Sequence, residues 1–158
     1  MQKDELHKFI DDFSDNKLNH CVVYNNHDVF FVGDTDEALK KNKAVTRLFS
    51  YGGMYGEEWD FTLHDYIDGR EVPLGKIQFF HSKDEALNFA QGVLDEICST
   101  YANISTDTMD KWLNFGLQIP DSLISNMNAQ FIENEERLEA ELNAMRIERE
   151  KFFKRYCN

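Results

Sequence analysis

The chain has 158 residues, a net charge of −12 and an apolar share of 42% that includes 13 phenylalanines. This content supports one hydrophobic core, in one domain or in one domain with an appendage, and it argues against a disordered chain. Residues 1–110 carry 21 acids and 10 bases, so this acidic body disfavours direct binding to nucleic acid or to an anionic membrane.

The first forty residues predict a helix, a hairpin and a second helix. Apolar side chains recur at helical spacing between residues 4 and 13. Two apolar runs, HCVVY and DVFFVG, flank the turn-prone residues 25–27 and predict a β-hairpin. The run DEALKKNK follows Thr35 and opens like a capped helix with acids in its first turn.

Three further strands are predicted in the middle of the chain. Residues 44–51 are β-branched and aromatic, which favours a strand, with a helix continuing through Phe49 as the alternative. Residues 58–67 alternate apolar and polar side chains, the period of a half-buried strand. A turn signal at residues 68–69 precedes the third strand, within residues 73–82.

Two helices are predicted between these strands and the C-terminal run. Ser82 and Glu85 match a capping box, and a broad apolar stripe continues to Tyr101, so this helix is expected to pack across the sheet. Residues 108–117 form a second helix candidate, which ends before the Ile119-Pro120 pair.

The run from 121 to about 156 lacks Gly and Pro and predicts one long helix. Its first heptad seam is apolar and its second is mixed. The first seam holds Ile124, Phe131, Leu138, Met145 and Phe152, and the second holds Asn128, Glu135, Leu142, Arg149 and Tyr156. A parallel homodimer would stack Glu135 on its own copy, so an antiparallel or heterotypic contact is expected.

This helix is also too long for its own globule. A helix of 36 residues is about 54 Å long at 1.5 Å per residue. A compact body of the preceding 120 residues has a diameter of roughly 35 Å. The overhanging part would expose its apolar seam to water, unless the helix breaks near Asn134, pairs with a second copy, or binds another protein.

These elements together predict an α+β fold. We expect an antiparallel sheet of four to five strands packed by one or two helices, with the helix at 84–101 on one face, plus the long C-terminal helix. The predicted division is an acidic α+β globular domain at 1–104 and a helical region at 105–158.

No residue pattern points to catalysis. A glycine-rich loop that binds phosphate is followed by a Lys or by a helix N-terminus with free amides. The glycine-rich loop YGGMYG is followed instead by Glu57 and Glu58, which does not favour phosphate binding. The five histidines are scattered without metal-ligand spacing, and no GxSxG, HExxH, Walker or Rossmann pattern is present. We therefore expect no enzymatic activity, no catalytic or metal-binding residue and no cofactor.

The cysteines predict a compartment. Cys21, Cys98 and Cys157 lie far apart without CxxC spacing, and the N-terminus is charged from its third residue, unlike a signal peptide. The longest apolar runs, of about four residues, are too short to span a bilayer. Reduced thiols in the cytoplasm, without membrane attachment, are expected.

The function expected from these patterns is that of a non-catalytic protein–protein interaction module, a small regulator or inhibitor. Its acidic body suggests an acidic nucleic-acid mimic that blocks a host enzyme, and a composition rich in Asn and Phe with two Pro fits an AT-rich source such as a phage. The candidate partner-binding residues are Leu138, Leu142, Met145, Arg149, Phe152 and Tyr156 on the long helix and Glu57, Glu58 and Asp60 on the body.

Two alternatives stay open. One is a small-molecule-binding or enzymatic α+β domain with a pocket between sheet and helix, lined by Trp59, His64, Tyr66 and His81. The other is a structural subunit of an assembly, which predicts tight self-association through the long helix and no foreign partner.

Overall fold

The computed structural model describes residues 3–41, 45–53, 56–101 and 103–157, with the backbone alone at 3, 6, 64–67, 71 and the described positions of 41–61. Its helices are α1 (Lys3–Ser14), α2 (Thr35–Lys41), α3 (Lys83–Thr100), α4 (Thr106–Asn114) and α5 (Asp121–Tyr156). Its strands are β1 (His20–Tyr24), β2 (Val29–Asp34), β3 (Val45–Gly53), β4 (Gly56–Ile67) and β5 (Arg70–Phe80).

The strands form one antiparallel sheet in the order β2-β1-β5-β4-β3, which confirms the predicted α+β fold. β1 and β2 form the predicted hairpin. β3 is a strand, so the alternative prediction of a helix continuing through Phe49 is wrong. The predicted turn between β4 and β5 is present. Asp68 and Gly69 both lie in the left-handed region there, with φ of 52° and 75°, a conformation that these residue types tolerate.

Helices cover both faces of the sheet. The ring of Phe80 in β5 lies 5.2 Å from that of Phe89 in α3. The neighbouring Phe79 points to the opposite face, because side chains alternate along a strand, and it packs 5.6 Å from Phe9 and 5.3 Å from Phe13 of α1. The prediction that α3 packs on the sheet is confirmed, and α1 adds a second layer that the sequence reasoning did not place.

The core of the second face follows from the same alternation. Cys21 and Val23 of β1 are buried there with Ile77 of β5 and Leu63 of β4, and Ala38 of α2 packs against them. The intervening residue of β1, Val22, is also buried. A strand that is apolar at consecutive positions is thus explained by cover on both sides.

α3 begins at the predicted capping box. Ser82 Oγ accepts a hydrogen bond from the Glu85 backbone N–H at 3.2 Å. The Glu85 carboxylate in turn accepts the backbone N–H of His81, also at 3.2 Å, one residue before the cap itself. The first bond satisfies one of the amides at the start of the helix that have no intrahelical acceptor, and the second links the residue before the cap to the first turn.

The chain divides into two compact units, Met1–Ile119 and Pro120–Asn158. This division lies later in the chain than the predicted boundary at 104/105. α4 belongs to the first unit because Lys111 Nζ and Trp112 Nε1 both donate to the carboxylate of Asp28, at 2.5 Å and 2.9 Å. The second unit consists of α5 and the residues that flank it.

Candidate protein-binding surface

α5 begins at Asp121 and ends at Tyr156, as the sequence predicts. Pro120 occupies the N-cap with φ of −60° and makes no side-chain cap; a proline suits this end because the first amides of a helix have no intrahelical acceptor. At the other end the N–H of Cys157 donates to the carbonyl oxygen of Phe153 at 3.0 Å. The 36 residues correspond to about 54 Å of helix.

One side of α5 carries the surface that we call the α5 seam. It consists of the six predicted residues Leu138, Leu142, Met145, Arg149, Phe152 and Tyr156. With 3.6 residues per turn, these six fall within about 80° of the helix circumference. The five large apolar members are between 46% and 63% exposed, and every side chain from residue 128 to 157 is exposed.

The C-terminal end of the seam is aromatic and cationic. The ring of Phe152 lies 5.1 Å from that of Tyr156 and 5.8 Å from that of Phe153. The guanidinium of Arg155 lies 5.5 Å from the centre of the Tyr156 ring, a cation–π distance. These contacts bring three aromatic rings and one guanidinium together at the C-terminal end of the helix.

Two further exposed apolar residues lie beside the seam. Ile132 is 48% exposed and Phe153 is 54% exposed. A strict seven-residue repeat leaves them out, although an α-helix drifts by about 20° per heptad, and following that drift along the run would have included Phe153. Ile147 is 50% exposed but lies on the opposite side of the helix from Leu138, so it supplies a matched control for the seam.

The acidic candidates lie on another element. Glu57, Glu58 and Asp60 belong to β4, whose backbone pairs with residues 49–52 of β3. Their side chains lie outside the described residues, as do those of Trp59, His64 and Tyr66, which were expected to line a pocket. His81 is described, and its Nε2 lies 3.3 Å from Oδ2 of Asp12 at the surface.

Two cavities in the first unit are small. One, of about 190 Å³, lies between the β1–β2 turn and α3 and is lined by Tyr24, Asn25, Glu96 and Tyr101 among others. The second, of about 290 Å³, is lined by His20, Asp34, Lys83 and Phe115 among others. The first falls below the roughly 300–1,000 Å³ of typical ligand pockets, and the second lies at the lower end of that range.

The described residues offer neither a metal cluster nor a membrane-spanning helix. No three His, Cys, Asp or Glu side chains come together as metal ligands in the part of the chain that the structure describes. Within the same ranges, no helix is both long enough and apolar enough to cross a bilayer.

The three thiols differ in environment. Cys21 and Cys98 are buried and Cys157 is exposed, and all three are free. Burial raises the pKa of Cys21 to about 12 and that of Cys98 to about 11. Both buried thiols are therefore protonated at neutral pH, and a protonated thiol is a poor nucleophile.

No protein-family model, curated protein or solved structure matches this chain. Function is therefore inferred from the fold and from the surface of α5.

Proposed function

We propose that this protein is a non-catalytic protein–protein interaction module, a small regulator or inhibitor, that binds its partner through the α5 seam. One observation supports this proposal above the others: five large apolar side chains on one side of a single helix are about half exposed or more. Monomeric proteins seldom leave a contiguous apolar strip in water, and such strips are typical of protein-binding surfaces.

The size of the seam indicates the strength of the contact. Burying a large apolar side chain completely contributes about 1.5–3 kcal/mol. The seam residues are already partly covered by their own helix, so each contributes about 1 kcal/mol and the five together about 5 kcal/mol. An equally apolar partner doubles this value, and the loss of rotational and translational freedom offsets part of it. At the low end of that cost, roughly 4 kcal/mol, about 6 kcal/mol remain, which corresponds to a dissociation constant of about tens of micromolar.

The acidic first unit supports a more specific version, the nucleic-acid mimic that blocks a host enzyme. Residues 1–110 carry a net charge of −11, and Glu57, Glu58 and Asp60 are its candidate contacts. Exposed charge contacts are screened at high ionic strength. A partner held by this surface should be released at about 0.5 M salt, whereas one held by the seam should stay bound.

A cytoplasmic location is part of this proposal, and the three free thiols support it. Cytoplasmic reductants keep thiols in this state, whereas oxidising compartments favour disulfides. Partners are therefore expected among cytoplasmic proteins.

Substitutions on the seam test the proposed function. The L138Q/L142Q/M145Q variant keeps good helix formers but removes the apolar surface, so its binding to partner should fall at least tenfold. Ile147→Gln, on the opposite side, should bind like the wild type. Partners captured by the immobilised full-length protein, including a tagged second copy, would be identified, purified and titrated against all three proteins. Equal binding by the wild type and the triple variant would contradict the proposal.

A further inference from the structure

We propose that the seam of α5 binds the seam of a second copy in antiparallel orientation, with the centre of the pair between Leu142 and Met145. This inference rests on the proposed function and names the partner. It follows from the distribution of charge along α5, from the order of residues in the seam and from the two exposed residues beside it.

Charge is segregated along the exposed part of α5. Residues 133–141 hold five acids and one base, a net charge of −4, and residues 146–154 hold four bases and two acids, a net charge of +2. An antiparallel pair centred between Leu142 and Met145 places residue 133 beside residue 154 of the second copy, and residue 141 beside residue 146. Each acidic segment therefore faces a basic one, twice in the dimer.

The same register gives every layer of the contact an apolar member. Leu142 meets Met145 of the second copy at the centre. Moving outward, Arg149 meets Leu138, Phe152 meets Glu135, and Tyr156 meets Phe131.

Glu135 and Arg149 of different copies lie about 4.5 Å apart along the helix axis, at 1.5 Å per residue, within reach of an arginine side chain. The two polar seam residues are thereby paired.

The flanks of the pair account for the apolar residues beside the seam. On one flank Ile132 meets Phe153 of the second copy, and Glu139 meets Arg146. All four side chains are exposed in the single chain, and the pair would cover the two apolar ones. The opposite flank brings Glu141 close to Glu148, a like-charge contact that costs stability.

A parallel pair fits the residues less well. It would stack Glu135 on Glu135 and Arg149 on Arg149 within the contact. It would also place the acidic segment beside the acidic segment of the second copy, and the basic segment beside the basic one. Like charges in adjacent positions are destabilising. The antiparallel arrangement replaces both clashes by opposite charges.

Light scattering and a distance measurement test the proposal on the full-length chain. At about 100 µM, light scattering should give a mass between those of the monomer and the dimer, and this mass should rise with concentration. A spin label on the exposed Cys157 should then report a separation of about 40 Å, because the two labels lie 27 residues apart along an antiparallel pair at 1.5 Å per residue. A parallel pair would bring the labels within roughly 20 Å, and such a distance would overturn the orientation. The buried Cys21 and Cys98 are expected to stay unlabelled in the folded protein.

Charge swaps test the register. Glu135→Arg alone should weaken the dimer about tenfold, because Glu135 lies within reach of Arg149 of the second copy, and Arg149→Glu alone should do the same. The E135R/R149E double variant should recover most of the lost dimer affinity. If instead its loss of affinity equals the sum of the two single-variant losses, the register is overturned. Ile147→Gln should dimerise like the wild type.

The outcomes separate this proposal from the proposed function. A monomer at 100 µM that still captures a foreign protein through its seam overturns self-pairing and leaves the interaction module in place. If the protein is a monomer and the triple seam variant captures the same proteins as the wild type, both self-pairing and the proposed function are overturned.

Discussion

Gly75 of β5 lies close to the backbone of β1. A Cβ at this position would lie 2.5 Å from the carbonyl oxygen of Tyr24 and 3.1 Å from its carbonyl carbon. A contact below 3 Å with backbone cannot be relieved by turning a side chain, so β1 and β5 would have to move apart. A lone glycine in a strand is a recognised signal of such an approach.

We expect Gly75→Ala to lower the free energy of unfolding by about 1–3 kcal/mol, the usual cost of overpacking. Gly92→Ala is the matched control, since a Cβ there meets nothing within 4 Å inside α3, and it should raise stability by about 1 kcal/mol through helix propensity. Urea denaturation followed by circular dichroism measures both. Equal effects of the two substitutions would contradict the close approach.

The buried thiol of Cys21 predicts how stability changes at alkaline pH. Its pKa is raised from the ordinary value of 9.0 to about 12, chiefly by burial. The unfolded thiol therefore loses its proton near pH 9, while the folded thiol keeps its proton up to about pH 12. The folded state binds more protons in this window, so stability is complete below pH 9 and falls as pH rises, by up to about 1.4 kcal/mol per pH unit.

Comparing variants isolates this effect. Between pH 8.5 and 10.5, the unfolding free energy of the wild type should fall relative to that of Cys21→Ala. The unfolding free energy of Cys157→Ala should change with pH as that of the wild type does. Urea titrations at each pH give these values. A pH-independent difference for Cys21→Ala would show that the thiol ionises alike in both states.

At the scale of the element, periodicity predicted what is local. The bounds of α5, the β1–β2 hairpin and the cap at Ser82 depend on residues close in sequence, and all three are confirmed. The strand at β3 was ambiguous because β-branched and aromatic residues also occur in helices. The segment is a strand because it pairs with β4, and this pairing is a tertiary contact that the local sequence does not show.

Long-range placement could not be read from the pattern. The sequence shows that β1 is apolar at consecutive positions, but not that α1 and α2 cover one face of the sheet and α3 the other. For the proposed binding surface, the repeat predicted which residues share one side of α5. The exposed fraction of each side chain is a property of the folded chain that a repeat does not give.

At the scale of the whole molecule, the exposed part of α5 is expected to be dispensable for folding. Side chains from residue 128 to 157 are all exposed, so a chain that ends at Gln130 loses no buried group beyond that point. Its free energy of unfolding should lie within about 1 kcal/mol of the wild-type value.

The same shortened chain should lose both dimerisation and partner capture. Circular dichroism, urea denaturation and light scattering on the two chains check this combination. A shortened chain that unfolds or aggregates would show that the exposed segment supports the fold instead of presenting a surface.

The strand order also has a consequence for synthesis. β1 lies between β2 and β5, yet β5 follows Tyr24 by more than forty residues. At about 5–20 residues per second, a ribosome needs roughly 3–11 s to pass from Tyr24 to Phe80. During that interval the nascent hairpin keeps an open apolar edge, a site for chaperones or for aggregation. The strand order therefore leaves β1 without one of its two neighbouring strands until β5 has been synthesised.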